Sequence, residues 1–496
     1  MQISKSDYMN YLRHPAWLWL KKNDKKKLPP IDDNLQAIFD TGHDFEQYAE
    51  AQFEDAVQLG FSDYHEYLSL PMRTEQALDE GAKTIFQGRL EYKNFTFICD
   101  VIDVVEGKTV DLYEIKSTAS AKLEHEYDLA FQLMVLEGCG YEVRKIAVIH
   151  VDNSYERSGE IDPAKLCATT DVTEAVKEKL EQTIIDAQKA YEAATAPTCP
   201  DLSPLLASPS AFQDWLDIYK AFEPLPEGSF YELGGVDAKA VELFEENGIE
   251  TIDDIPATLE VSKRIDSQLK AYRNGGPIID KLRIKQFLDE LKFPLYFFDY
   301  ETLGSLVPYF DGMRSYAQYP FQYSLHILDS PDAKLRHEEY LHTKKSNPAE
   351  NIVAAMKTHF GSQGTVIAWN MSFEKNCNDT LAKFVPEAAD FLQDLNDRMV
   401  DLMVPFSSGA YVDYRCKGSA SIKNVLPVLV PELSYKTLGV QEGAAAQRIW
   451  MQTVLDDKND DEKHKILNDL LEYCKLDTLA MVEIYKKLVQ AVLSKT

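Results

Sequence analysis

Two groups of acidic residues in this 496-residue chain have the types and spacing of divalent-metal phosphodiester chemistry. Asp100 precedes Glu114 and Lys116 in FICDVIDVVEGKTVDLYEIKS. Further on, Asp299 and Glu301 in FFDYET precede Glu374 in AWNMSFEK and Asp477 in EYCKLDT. Carboxylate oxygens in such sets hold Mg²⁺ or Mn²⁺, and a lysine beside them orients an attacking water or offsets phosphate charge. The chemistry expected of both groups is hydrolysis of a phosphate ester on nucleic acid.

The elements that must position these residues follow from periodicity. On a strand, Glu114 and Lys116 share one face while Tyr113 and Ile115 take the other, so neighbouring strands bring Asp100 to the same place. Asp299 and Glu301 share a strand face by the same rule, and Tyr473 and Asp477, four apart, share a helix face. Up to Ala194 the chain alternates helix and strand, with a helical stretch over 34–59 and strands over 95–105, 110–117 and 145–152. A helix over 171–193 carries an apolar stripe, with Asp171 and Glu174 in capping-box spacing at its start. Pro197, Pro200 and Pro204 break it, and 194–210 reads as a linker.

From Tyr231, YELGGVDAKAVELFEENGIETIDDIP reads as a turn, an amphipathic helix stopped at Gly248, and a second short helix. A second α/β block starts at Phe293, with strands in LYFFDYET and GTVIAWN and a terminal helix over 463–493. The expected architecture is a multidomain α/β chain divided at 1–220, 221–290 and 291–496.

The net charge of −29 argues against a generally basic, nucleic-acid-binding surface. It leaves room for carboxylate-rich metal sites and a locally basic groove. Purely apolar runs fall far short of the ~18 residues of a spanning helix, so no membrane passage is expected. The start of the chain lacks a secretory pattern. Seven scattered cysteines without a CxxC pair argue against a disulfide framework, and a reducing, cytoplasmic location is expected.

With Glu46 on the helix that precedes the Asp100 and Glu114 strands, four residues after Gly42, and Gln132 in DLAFQLMVLEGCGY on the helix that follows them, roughly the first two hundred residues resemble the RecB and Cas4-like branch of the PD-(D/E)XK nucleases. The resemblance implies a restriction-endonuclease-like α/β domain in which Glu46, Asp100 and Glu114 hold metal while Lys116 and Gln132 complete the site. The tyrosine usual one helical turn after the glutamine is Leu136 here, with Tyr141 further on. Many relatives clamp an iron-sulfur cluster between an early and several late cysteines. Here His14 stands early, in YLRHPAWLWL, and only Cys199 stands late, so no iron-sulfur cluster is expected.

FFDYET, AWNMSFEK and EYCKLDT together resemble the DEDD exonuclease superfamily in its tyrosine variant, DEDDy. That resemblance implies an RNase H-like α/β domain. Asp299, Glu301, Glu374 and Asp477 would be its metal ligands, and Tyr473 would position or deprotonate the water. Glu374 stands where the superfamily has aspartate, and its extra methylene moves the carboxylate by about a bond length. Asp401 in RMVDL is either a further acid of the site or an ordinary solvent-facing or capping residue. Lys423 in SASIKNVLP meets either a phosphate or water.

End to end, DLAFQLMVLEGCG, HVDNSYERSGEID, FFDYET, AWNMSFEK with RMVDL, GSASIKNVLP and YCKLDTLAM resemble the bacterial DUF2779 family, a label that carries no activity. The segment from Tyr231 resembles a helix-hairpin-helix, whose glycine turn offers amides to a phosphate; a spacer hairpin is the other reading. The function expected is a Mg²⁺- or Mn²⁺-dependent nuclease with two candidate active sites, in DNA processing, repair or defence. It would act on DNA ahead of RNA and borrow affinity from a helicase or other protein partner. The alternative is a non-catalytic adaptor that keeps degenerate nuclease folds to bind nucleic acid or protein.

Overall fold

The computed structural model describes residues 1–30, 44–435, 438–440, 442–458 and 460–494. Their contacts form two compact units. One comprises Met1–Leu225, Asp237–Glu242 and Leu306–Ser315, and the other Pro226–Val236, Leu243–Ser305 and Tyr316–Thr496. The stretch 221–290, read from sequence as a module of its own, does not stand apart, because most of it clusters with the second unit. Both units are α/β with mixed sheets.

The first unit is built on six strands in chain order: β1 (Ala56–Gln58), β2 (Thr84–Phe86), β3 (Val101–Glu106), β4 (Thr109–Lys116), β5 (Glu142–Val151) and β6 (Cys167–Asp171). β4 runs antiparallel to β3 and parallel to β5. One sheet face, with Val110 and Leu112, packs against α1 (Lys5–Arg13), α2 (Pro15–Asn23), α3 (Leu123–Gly138) and α4 (Thr173–Thr195) through Tyr8, Leu18, Phe131 and Ala187. The other, with Val101 and Ile115, packs against Phe45 and Ala49. Glu114 and Lys116 continue the Leu112 face by strand alternation and are thereby aimed at α3.

Two elements differ from the periodicity reading. Residues 34–43 of the expected helix lie outside the described residues, and the helical stretch ends at Glu50, because Val57 pairs in parallel with Ile85 as an edge strand. The expected strand 95–105 is two strands. Phe95–Ile98 pairs with Arg89–Tyr92 and Ile3–Ser4 in a separate small sheet, and the chain breaks at Cys99 and Asp100 before β3. Asp100 therefore sits at a strand junction, where its Oδ2 accepts a 2.8 Å bond from the Ile115 amide of β4.

His14 closes α1 and caps α2. Its Nδ1 accepts from the Ala16 amide at 3.1 Å, so Nε2 carries the proton and donates to Ser203 O at 3.0 Å, with the ring stacked 3.8 Å from Trp215. Both ring nitrogens are committed to hydrogen bonds within the protein. Burial pushes the imidazole from 6.5 down to about 4. The unfolded chain takes up this proton below about pH 6.5 and the folded chain only near pH 4. The stability is thus full above pH 6.5 and falls as pH drops through that window, by about 3 kcal/mol in total. Urea unfolding at pH 7 and pH 4.5 is expected to show this loss, and His14→Asn, which keeps a capping oxygen, to flatten it.

The second unit centres on β7 (Leu295–Leu303), flanked by antiparallel β8 (Tyr319–Leu328) and then β9 (Arg336–Leu341) on one side. On the other side lie parallel β10 (Thr365–Ala368) and β11 (Met399–Asp401). β7 alternates cleanly. Tyr296, Phe298 and Tyr300 pack toward α5 (Ala349–His359) and α6 (Met371–Phe384) with Ile352, Met356 and Leu381. Leu295 and Phe297 pack with Leu426 of α7 (Ile422–Leu429) and with Met481, Ile484 and Leu488 of the long terminal helix. Two further helices of this unit that bear on the site are α8 (Gly443–Trp450) and that terminal helix, α9 (Lys463–Leu493). Asp299 and Glu301 extend the α9 face of β7. A register shift immediately after Glu301 marks a bulge, beyond which Thr302 and Leu303 pair with Pro320 and Tyr319.

The glycine turn of the hairpin module is used internally. Gln268 receives the Gly234 amide and donates back to its carbonyl, both at 2.8 Å. A Cβ on Gly234 would lie 1.4 Å from Lys417 O, so only glycine fits. This amide is spent on packing, which suits the spacer reading of the segment rather than phosphate binding.

Candidate functional site

At the end of β7 the second unit has a cleft of about 370 Å³ lined by Asp299, Glu301, Trp369, Lys423, Tyr473 and Asp477, among others. Each arrives by a local rule: two from one strand face, two from one turn of α9, and Lys423 from the first turn of α7. Asp477 accepts from the Tyr435 hydroxyl at 2.5 Å and from Tyr473. α8 is fastened to the strand end by Gln447, which bonds both the amide and the carbonyl of Gly304 at 3.1 and 2.8 Å.

The electrostatics of the cleft are those of crowded acids. Burial, then the charges of Asp477, Glu374 and Glu301, push Asp299 well above the usual carboxylate range. Burial and Asp477 do the same to Glu301, against the pull of Lys423. Burial raises Asp477 to about 6, opposed by Tyr435, Lys423 and Tyr473. The phenols of Tyr435 and Tyr473, buried beside these acids, are pushed far up and stay protonated. In this arrangement Tyr473 donates its hydroxyl to Asp477.

Glu374 comes from the first turn of α6. Its charge reaches Asp299, but it lies outside the cleft lining. Burial raises its pKa to about 8, and its buried Oε2 has no hydrogen-bond partner among the described residues. Asp401 is the cap of that same helix: its carboxylate accepts from the amides of Asn370 (3.1 Å), Met371 (3.3 Å) and Met403 (2.9 Å). Asn370 takes the left-handed conformation, φ +70°, which asparagine tolerates. Asp401→Ala is expected to cost about 1–2 kcal/mol in urea unfolding by freeing these amides.

The donor set suits a hard divalent cation. Among the described residues, Asp299, Glu301 and Cys474 form the one His/Cys/Asp/Glu trio whose ligand atoms lie within 4.8 Å of one another. Carboxylate oxygens dominate, a buried carboxylate oxygen of Glu374 is orphaned, and the cation lining the cleft, Lys423, is exposed.

The front group is differently balanced. Glu114 Oε1 is 2.7 Å from both Lys116 Nζ and Lys5 Nζ, and its Oε2 receives Gln132 Nε2 at 2.7 Å. Asp128 joins through Lys116 at 3.0 Å and Gln132 at 3.2 Å. Burial opposes ionisation of Glu114, but Lys116 and Lys5 outweigh it and hold the carboxyl far below its usual range. Burial and the charge of Glu114 raise Asp100 to about 7. Asp100, Glu114, Lys116 and Gln132 thus meet. Glu46 lies half-buried on the helical stretch of Phe45 and Ala49, which packs on the opposite, Ile115 face of the sheet.

Lys5, Asp128, Tyr435 and Cys474 were not assigned to either site from the sequence. Asp128 lies four before Gln132 on one helix and Cys474 three before Asp477, so both share a face with a residue already singled out. Lys5 and Tyr435 arrive from distant segments and leave no local signal.

These features define an α/β protein with an acid-lined cleft at the end of a mixed sheet. Residues 296–421 match the family described as "Domain of unknown function (DUF2779)". The match holds Asp299, Glu301, Glu374 and Asp401 and stops before Tyr473 and Asp477; it is narrower than the end-to-end resemblance read from sequence. The chain is 27% identical over 246 residues to "Uncharacterized protein MG366 homolog" of Mycoplasma pneumoniae, covering 46% of this chain and 37% of the relative. It is 24% identical over 241 residues to "Uncharacterized protein MG366" of Mycoplasma genitalium, covering 45% and 36%. It thus spans little more than a third of the length of these curated relatives. No helix among the described residues is long and apolar enough to cross a membrane.

Proposed function

We propose that this protein is a divalent-metal-dependent nuclease whose principal active site is the cleft of the second unit, with an RNase H-like, DEDDy 3′-5′ exonuclease-type arrangement. The restriction-endonuclease-like PD-(D/E)XK group of the first unit is its second candidate site. One observation carries the reading: Asp299, Glu301 and Asp477, from one strand and one helix, line the same cleft as buried acids, the charge of Glu374 reaches Asp299 from a second helix, and too little positive charge stands beside them. Buried like charges are costly unless a cation joins them.

Bound Mg²⁺ or Mn²⁺ would supply charge stabilisation and an activated water. Asp299, Glu301 and Asp477 would hold it, with Glu374 on the α6 side. Tyr473, protonated and bonded to Asp477, orients the water. Lys423 offsets phosphate charge at the mouth, and Trp369 and Phe373 offer the cleft flat surfaces on which a base can stack. A polymer with DNA chemistry is the favoured substrate. The net charge of −29 favours a protein partner, such as a helicase, that brings the polymer to the cleft.

Metal-dependent degradation of end-labelled single- and double-stranded DNA and RNA tests the proposal, with Asp299→Ala and Lys116→Ala alongside. The expected result is mononucleotide release that Asp299→Ala abolishes and Lys116→Ala leaves in place. Absence of cleavage on every substrate, with nucleic-acid binding intact, would support the non-catalytic adaptor, which the displacement of Glu374 from the cleft lining favours.

A further inference from the structure

Lys5 is the best-buried cation of the front group that neither acid motif accounts for. It is the first residue of α1, directly after Ser4, which exchanges capping bonds with Asp7 at 3.0 and 3.2 Å. α1 is held independently of Lys5: Tyr8 is fully buried, and Asp7 is paired with Lys21 and Lys22. From this fixed start the Lys5 side chain reaches Glu114, 109 positions away in sequence, and shares the oxygen that Lys116 also contacts.

The carboxylate of Glu114 therefore carries three donors on its roughly four acceptor sites. Two ammonium groups take Oε1 and an amide takes Oε2, all at 2.7 Å. The nearby charges of Asp100, Glu114 and Asp128 face Lys5 and Lys116. A divalent cation placed on Glu114 would meet two positive charges in a poorly solvated setting, where repulsion is barely screened. The lysines differ in what holds them. Lys116 has a second partner in Asp128 at 3.0 Å, whereas the ion pair of Lys5 is with Glu114. The Lys5 side chain keeps 21% exposure and so borders solvent.

We propose that Lys5 is a built-in counter-cation of the front acid group, occupying the place of a divalent cation beside Glu114, so that metal enters only as Lys5 withdraws. The proposal rests on the reading of Asp100 and Glu114 as metal ligands. It makes the two candidate sites unequal in kind: the cleft of the second unit demands a cation, while the front group carries its own.

Mn²⁺ titration followed by the electron paramagnetic resonance of the free ion tests this without any turnover. The parent is Asp299→Asn/Asp477→Asn, which silences the cleft. Adding Lys5→Met is expected to tighten Mn²⁺ binding at least tenfold, adding Lys5→Arg to leave it weak, and adding Glu114→Gln to the Lys5→Met protein to abolish the gain. Affinity within twofold of the parent after Lys5→Met, or a gain that survives Glu114→Gln, would overturn the proposal. Lys5→Gln replaces Lys5→Met if the latter melts below the titration temperature. Failure of the nuclease reading would appear separately, as wild-type protein that degrades no polymer, and does not enter this comparison.

Discussion

Asp299→Asn is expected to abolish metal-dependent cleavage and, in the same protein, to raise the stability of the metal-free chain. The two effects share one cause. Asp299 is surrounded by the charges of Asp477, Glu374 and Glu301, and its own charge is opposed by burial. Removing one ionisable oxygen relieves that repulsion, a gain of about 0.5–2 kcal/mol of the kind seen when functional sites are neutralised. On the proposed nuclease reading Asp299 is a metal ligand whose loss removes transition-state stabilisation, and a loss of about 10³-fold in rate, ~4 kcal/mol, is expected. Thermal melting with and without Mn²⁺ separates the effects. Wild-type protein gains about 2.7 kcal/mol at metal 100 times its Kd, while the variant starts higher and gains nothing. A variant that melts lower without metal would show that the acid is structurally satisfied.

Glu114→Gln should act in the opposite sense. Glu114 is 1% exposed and the shared partner of Lys5, Lys116 and Gln132. Removing its charge leaves two largely buried ammonium groups with reduced compensation, and breaking a buried pair by deleting one partner costs about 3–5 kcal/mol. Hydrogen exchange of the β4 and α3 amides is the suitable readout, because it reports the first unit alone. Faster exchange there, with the β7 amides unchanged, is expected. Two acid groups with the same motif-level chemistry thus differ in sign: neutralising one stabilises and neutralising the other destabilises.

What was legible in the sequence was whatever a period could carry. FFDYET reads as a strand with Asp299 and Glu301 on one face because Tyr296, Phe298 and Tyr300 occupy the other. Tyr473 and Asp477 read as neighbours because four residues make one helical turn, and the helix over 463–493 is found as α9 (Lys463–Leu493). Glu114 and Lys116 read as neighbours by the strand period, whereas Gln132, which donates to Glu114 at 2.7 Å, was placed beside them by the resemblance to the PD-(D/E)XK nucleases and not by any period.

What was not legible depended on pairing between distant segments. The break at Cys99 and Asp100 arises because Phe95–Ile98 joins a different sheet, a tertiary choice that β-propensity does not encode. The contact of Lys5 with Glu114 spans 109 positions and has no pattern in either segment. Asp401 offered two readings, and only the geometry of the α6 start shows three amides collecting on it. The balance of charge at each site, which sets the two acid groups apart, is likewise a property of packing.

The most direct test of the account is a calorimetric titration of Mn²⁺ into wild-type protein and into Asp299→Asn/Asp477→Asn. Saturable binding to the wild type that disappears in the double variant is the predicted result. No binding to the wild type, or binding of equal strength to both proteins, would contradict the claim that the acid-lined cleft of the second unit is a divalent-cation site.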